Sequence, residues 1–128
     1  MNTILIIDDE EDLVFFIKSA LELHGRYRVF YSTDGKSGIE IARREKPTLI
    51  LLDIMMPEMD GLEVLKELKE DTQTLAIPVV MLTAKNDDHS MTEAFGSYAQ
   101  YYIVKPVEMD VLAAQIDYVL SLTERRIC

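Results

Sequence analysis

Three short acidic or basic stretches and one threonine carry the residue types that could do chemistry. Asp8 and Asp9 open a run of five acids that continues through Glu10, Glu11 and Asp12. Asp53 ends an apolar run, Thr83 ends another, and Lys105 ends a third just before Pro106. If these converge, three carboxylates crowd together, repel one another and tend to take up protons. A hard divalent cation relieves that crowding. Mg²⁺ prefers oxygen ligands and is usually held by one or two carboxylates plus a phosphate. A phosphoryl group in transfer spreads negative charge over three outer oxygens. A hydroxyl, an ammonium and a metal would each meet one of them, and Lys105 supplies a point charge of that kind. The plainer alternative for Asp8 and Asp9 is the capping of a helix, where first-turn acids are favoured. For Glu10, Glu11 and Asp12 capping is the better reading. Asp53 could be a turn residue before Pro57, Thr83 a strand-end threonine, and Lys105 a solvated loop lysine.

Convergence depends on the elements. Residues 4–7, 49–52 and 79–82 are nearly unbroken apolar runs. Such runs suit central strands of a parallel sheet covered on both faces. Residues 27–31, interrupted by Arg28, suit an edge strand, and residues 101–104 are the fifth candidate. Between them lie amphipathic stretches. Leu13, Phe16, Ile17, Ala20 and Leu21 form one stripe at helical spacing, with Gly25 as the stop. Residues 37–45, 62–70 and 90–95 read as further helices, and residues 109–122 as a fifth. In that last helix Leu112, Ile116, Val119 and Leu120 make the inner face. Val111, Tyr118 and Leu122 add a second apolar side, either a wide core stripe or a partner surface.

Five strand–helix alternations imply an α/β fold, a doubly wound parallel sheet with helices on both faces. Ligands of such folds bind beyond the carboxyl ends of the strands. Four of the five expected strand ends carry complementary chemistry. Composition limits the rest. The chain has 128 residues, 13 basic and 23 acidic, for a net charge of −10. That length suits one domain, and that charge disfavours contact with nucleic acid or an anionic membrane. No apolar run reaches the ~18 residues of a membrane helix, and Met1-Asn2-Thr3 does not resemble a signal peptide, so a cytoplasmic location is expected. The single cysteine, Cys128, forms no internal disulfide. His24 and His89 read as surface residues, Met55, Met56 and Met59 as loop packing, and Asp34-Gly35 as a turn.

The stretches Ile4-Leu-Ile-Ile-Asp-Asp-Glu10, Leu51-Leu-Asp-Ile-Met-Met-Pro-Glu-Met-Asp-Gly61, Val80-Met-Leu-Thr-Ala84 and Tyr102-Ile-Val-Lys-Pro106 resemble the receiver domain of two-component response regulators, the chemotaxis-type regulators included. The likeness runs through residues 3–122. It implies a flavodoxin-like five-stranded parallel sheet of order 2-1-3-4-5. It implies a receiver domain over residues 1–122, with 123–128 a tail or the start of a linker. Asp53 becomes the phosphoacceptor. Asp9 and Asp53 would bind Mg²⁺ (or Mn²⁺) through side chains, Met55 through its backbone carbonyl, and Asp8 through water. Thr83 and Lys105 would contact the phosphoryl group. Thr83 and Tyr102 would act as the switch, and the Lys105–Pro106 bond is expected to be cis. Met55 and Lys85 occupy positions that tune hydrolysis of the acyl phosphate.

The partners so implied are a sensor histidine kinase or phosphotransfer protein and a downstream effector domain or protein. A homodimer through the fourth-helix, fifth-strand and fifth-helix face is an option. The domain would be a signalling switch, not an enzyme beyond its own phosphorylation and dephosphorylation. The sequence departs from the family at Tyr98, Gln100, Tyr101 and Val107, which bears on the shape of that face. Three other readings compete. A phosphorylation-independent module would normally have lost part of the acid and lysine set. A Mg²⁺-dependent phosphatase would need an aspartate where Met55 stands. A flavin-binding domain would need a hydroxyl- and glycine-rich loop where the five acids are.

Overall fold

The computed structural model describes residues 2–23, 25, 27–84 and 101–127. In chain order it contains β1 (Asn2–Ile7), α1 (Glu11–Leu23), β2 (Tyr27–Ser32), α2 (Gly35–Glu45), β3 (Leu49–Asp53), α3 (Gly61–Glu70), β4 (Val79–Thr83), β5 (Tyr101–Val104) and a C-terminal helix, Met109–Ile127. The five strands form one parallel sheet in the order β2-β1-β3-β4-β5. The expected helix at residues 90–95 lies outside the described residues, as do His24, His89, Lys85, Tyr98 and Gln100.

The unbroken apolar runs make this sheet because both its faces are covered. Every residue of β3 and β4 is buried. Side chains alternate between faces along each strand, so the core divides in two. Ile4 and Ile6, Leu49 and Leu51, and Val80 and Leu82 pack with α1 and the C-terminal helix. Leu5 and Ile7, Ile50 and Leu52, and Val79 and Met81 pack with α2 and α3. Truncating one such Leu or Ile to Ala typically costs about 2–5 kcal/mol, so burial on both faces fixes the register.

Local signals set the helix ends. Asp34 is the N-cap of α2, its carboxylate accepting from the Ser37 N–H at 2.8 Å, which makes the Asp34-Gly35 pair a cap and not a bare turn. Asp60 caps α3 in the same way through the Glu63 N–H at 3.0 Å. Gly38 lets α2 lie close on the sheet, since a Cβ there would stand 2.6 Å from Ile7 Cδ1.

Two expectations about faces change. Phe16 is exposed, because α1 turns Val14, Ile17 and Leu21 inward and leaves Phe15 and Phe16 outside. On the C-terminal helix Leu112, Ile116, Val119 and Leu120 are buried as expected, while Val111 and Tyr118 are exposed. Of the second apolar side, Val111 and Tyr118 therefore face outward while Leu122 is half-buried.

Candidate functional site

Sheet register brings the chemistry together. Ile7 pairs with Leu52, so Asp8 and Asp53 follow on neighbouring strands at one level. Asp53 pairs with Leu82, which places Thr83 one step beyond. Thr83 pairs with Val104, and Lys105 is the next residue. Lys105 is tied in by its own N–H, which donates to the Thr83 carbonyl at 2.6 Å. The Lys105–Pro106 peptide is cis, as the resemblance implied.

The Lys105 ammonium stands among three carboxylates. It lies 2.7 Å from Glu10 Oε1, 3.2 Å from Asp8 Oδ2 and 3.3 Å from Asp53 Oδ1. The side chains differ sharply in exposure: 0% for Asp8, 6% for Asp53 and 59% for Glu10. Asp8 Oδ1 accepts the Glu10 N–H at 2.9 Å. Its Oδ2 is buried and accepts no hydrogen bond from the described residues, the contact to Lys105 being an ion pair without hydrogen-bond alignment. A buried carboxylate oxygen left this way is expensive unless a charge serves it.

Electrostatics follow from this crowding. Burial pushes the Asp53 carboxyl up to about 7, the Asp8 charge adds to the rise, and Lys105 opposes it. Asp8 is raised as well, by burial first, with the Glu10 N–H and Lys105 working against the rise. Burial would lower Lys105, but its bond to Glu10 and the charges of Asp8 and Asp53 outweigh that and raise it. The ammonium is thus fixed as a cation while the acids wait for more positive charge.

Of the residues singled out from the sequence, Asp8, Asp53 and Lys105 meet directly. Asp9 is exposed, and a hydrogen bond between its carboxyl and that of Asp53 adds to the rise at Asp53. Thr83 is buried at the end of β4. Met55 is exposed in the loop after β3, and Met56 is buried against α2 and α3. Tyr102 packs partly against that same layer, and burial raises its hydroxyl. Glu10 is the residue the sequence reading assigned elsewhere. Asp8, Glu10 and Asp53 each offer an oxygen, and these oxygens lie within 4.8 Å of one another. Glu10 does serve the start of α1, its carbonyl accepting the Val14 N–H at 3.0 Å, but its side chain turns to Lys105. Only a contact across 95 residues of sequence could have shown that.

Comparison with known proteins decides the family. The family model for the response regulator receiver domain matches residues 4–117. The chain belongs to this family. This receiver domain is 35% identical over 121 residues to protein PilH of Pseudomonas aeruginosa, covering 94% of this chain and 99% of PilH. It is 37% identical over 121 residues to the alkaline phosphatase synthesis transcriptional regulatory protein PhoP of Bacillus subtilis, of which it covers 49%. The chain therefore spans nearly all of one relative and about half of the other. Among solved structures, the N-terminal domain of a response regulator receiver protein from Methanoculleus marisnigri is 40% identical, with a TM-score of 0.75, covering 94% of this chain and 97% of that one. Chemotaxis protein CheY4 of Vibrio cholerae, 23% identical with a TM-score of 0.85 and coverage of 93% and 98%, shares the fold. The receiver domain is a signalling domain of two-component systems.

Proposed function

We propose that Asp53 accepts a phosphoryl group from the phosphohistidine of a sensor histidine kinase or phosphotransfer protein. The observation that carries this reading is the Lys105 ammonium 3.3 Å from a buried Asp53 carboxylate at the carboxyl edge of the sheet. An Asp53 oxygen attacks phosphorus in line. The oxygen–phosphorus bond forms as the phosphorus–nitrogen bond of the donor breaks, and the bonding pair stays on the imidazole. Lys105 meets one phosphoryl oxygen and the Thr83 hydroxyl donates to another. Asp53 must be ionised to attack, so anything that lowers its raised pKa favours the reaction.

The donor set fits a hard divalent cation. Asp8 Oδ2 is a buried carboxylate oxygen without a hydrogen bond among the described residues, and oxygens of Glu10 and Asp53 cluster with the Asp8 carboxylate. We assign Asp8, Asp9, Asp53 and the Met55 carbonyl to Mg²⁺, with Mn²⁺ as an alternative. When bound, the ion neutralises charge on acceptor and phosphoryl oxygens. Hydrolysis of the aspartyl phosphate resets the switch.

Phosphorylation shifts a two-state equilibrium read through Thr83 and Tyr102. The output reaches an effector domain or protein, or a second copy of this chain. In support, Val104, Val111 and Tyr118 are exposed, and Tyr102, Val104, Pro106, Val111 and Gln115 border a groove of about 340 Å³. We place the receiver at residues 1–122, take 123–128 as a tail or linker, and expect a cytoplasmic setting. No helix among the described residues is long and apolar enough to cross a membrane.

The test is incubation with acetyl phosphate and Mg²⁺, read by intact mass. The native chain should gain one phosphoryl group and the Asp53→Asn chain none. Equal labelling of the two would overturn the assignment.

A further inference from the structure

The shortest bond to the Lys105 ammonium goes to the wrong acid for a phosphoryl pocket. Glu10 Oε1 accepts it at 2.7 Å, whereas Asp8 and Asp53 stand at 3.2 and 3.3 Å. An ammonium has three N–H donors; here one goes to Glu10 and one to Asp53, while Asp8 Oδ2 stands at ion-pair distance on a further side. A phosphoryl oxygen that arrives must take a place on this cation. Asp53 cannot give its place up by moving and Asp8 cannot draw back from the cation, because both are buried at strand ends. Glu10 can, because its side chain is 59% exposed.

The backbone beneath Glu10 is held. Its N–H donates to Asp8 Oδ1 at 2.9 Å and its carbonyl accepts from Val14 at 3.0 Å. Only the side chain, which is largely exposed, is free to swing outward. Exposed ion pairs are weak and easily exchanged, whereas buried ones are not. Glu10 also places a negative charge at the mouth through which an anionic donor must pass.

Resting on the reading of Asp53 as phosphoacceptor, we infer that Glu10 is a latch on Lys105. It holds the ammonium in the unphosphorylated state and must release it before the phosphoryl group is bound. Glu10 is then a positioning residue that acts through Lys105 and sets how fast the pocket loads. The latch leaves Glu10 out of the metal's ligand set, although its oxygen lies within 4.8 Å of those of Asp8 and Asp53.

Two substitutions separate the latch from its rivals. Glu10→Gln removes the charge. Glu10→Asp keeps the charge and the capacity to start the helix, but pulls the carboxylate back by one methylene. Initial labelling rates with acetyl phosphate at saturating Mg²⁺ should rise in both. The rise expected for losing an exposed pair is roughly two- to tenfold. Mg²⁺ affinity, measured by calorimetric titration without phosphodonor, should stay within about twofold, and the urea midpoint should hold. In a Lys105→Ala background neither substitution should change the rate, since coupled residues lose their effect together.

An unchanged or slower rate in Glu10→Asp and Glu10→Gln overturns the latch. A fall of tenfold or more in Mg²⁺ affinity also does so, because Glu10 would then be a metal ligand. A gain that survives Lys105→Ala does so as well, because Glu10 would act by charge at the mouth alone. A native chain that takes no label removes the phosphoacceptor reading, and the latch falls with it. A labelled native chain with unaffected Glu10 variants removes the latch alone.

Discussion

Gly61 lies against the backbone of Asp53. A Cβ at position 61 would stand 2.3 Å from the Asp53 carbonyl oxygen and 2.8 Å from Ile54 Cα. The Gly61 N–H donates to the Ile54 carbonyl at 2.8 Å, so the start of α3 is pinned to the strand end that bears Asp53. Neither obstacle is a flexible side chain, and backbone must move if a methyl is added. Gly61→Ala should lower unfolding free energy in urea by about 2–3 kcal/mol, in the range of overpacked sites. It should also slow acyl-phosphate labelling, because the displaced atoms belong to Asp53.

Gly25 gives the contrast. Its φ is +71°, and among the described residues nothing lies within 4 Å of a Cβ built there. Gly25→Ala should cost only about 1–2 kcal/mol from the left-handed backbone and leave labelling unaltered. Equal effects of the two on labelling would refute the steric assignment at Gly61.

Lys69 is a second lysine with a defined task. Its ammonium donates to the Leu75 carbonyl at 3.1 Å and the Ile77 carbonyl at 2.7 Å, closing the turn between α3 and β4. Thr74 helps by donating its hydroxyl to the Leu68 carbonyl at 2.7 Å. Lys69→Met keeps the stem and deletes two donors to backbone. It should destabilise by about 1–2 kcal/mol, the net worth of the two lost bonds from a charged donor, whose acceptors remain within reach of water. Labelling at saturating Mg²⁺ should match the native chain, since the turn lies at the far end of β4 from Thr83.

Much of this was legible in the sequence because it rests on patterns with a short reach. Runs such as Leu49–Asp53 bury both faces and announce a parallel strand. Asp8, Asp53 and Lys105 stand at strand ends, so a parallel sheet must bring them to one edge. What escaped needed knowledge of direction. The Phe15–Phe16 pair fits either side of an apolar stripe, and the turn of α1 put both outside. Val111 and Tyr118 could widen a core or face solvent, and only the seat of the C-terminal helix on the sheet decided it. Glu10 reads as a helix-start acid, which it also is. Its bond to Lys105 depends on a rotamer and a contact across the whole chain.

Stability of the metal-free domain should fall as pH rises toward neutrality. The folded pKa of Asp53 is raised to about 7, by burial first and the Asp8 charge second. The folded chain therefore holds this proton more tightly than the unfolded chain does. That favours the fold below the ordinary carboxylate value, and the advantage is lost as pH climbs from about 4 to about 7. Asp8 shifts in the same direction. Lys105, raised above its ordinary 10.5, stays charged throughout that window and adds no slope there. Urea midpoints in chelator should drop between pH 5 and pH 8, by the equivalent of about 1–3 kcal/mol. Asp53→Asn should flatten most of that slope. A slope that is identical in the variant would show that Asp53 is not its source.

Divalent metal should reverse the same penalty. A ligand that binds only the folded chain stabilises it by about 2.7 kcal/mol at a hundred times its dissociation constant. Mg²⁺ competes with protons for the carboxylates, so its effect should be large at pH 8 and small at pH 5. Asp8→Asn tests which acid matters. Asp8 Oδ2 is buried, accepts no hydrogen bond from the described residues and lies 3.2 Å from Lys105. An amide there removes one of the crowded charges, so the metal-free variant should be as stable as the native chain or more so. The same change weakens the cation site, so added Mg²⁺ should raise its thermal midpoint far less than it raises that of the native domain. A native midpoint that ignores Mg²⁺ at pH 8 would mean that the acids are neutralised by Lys105 and protons alone.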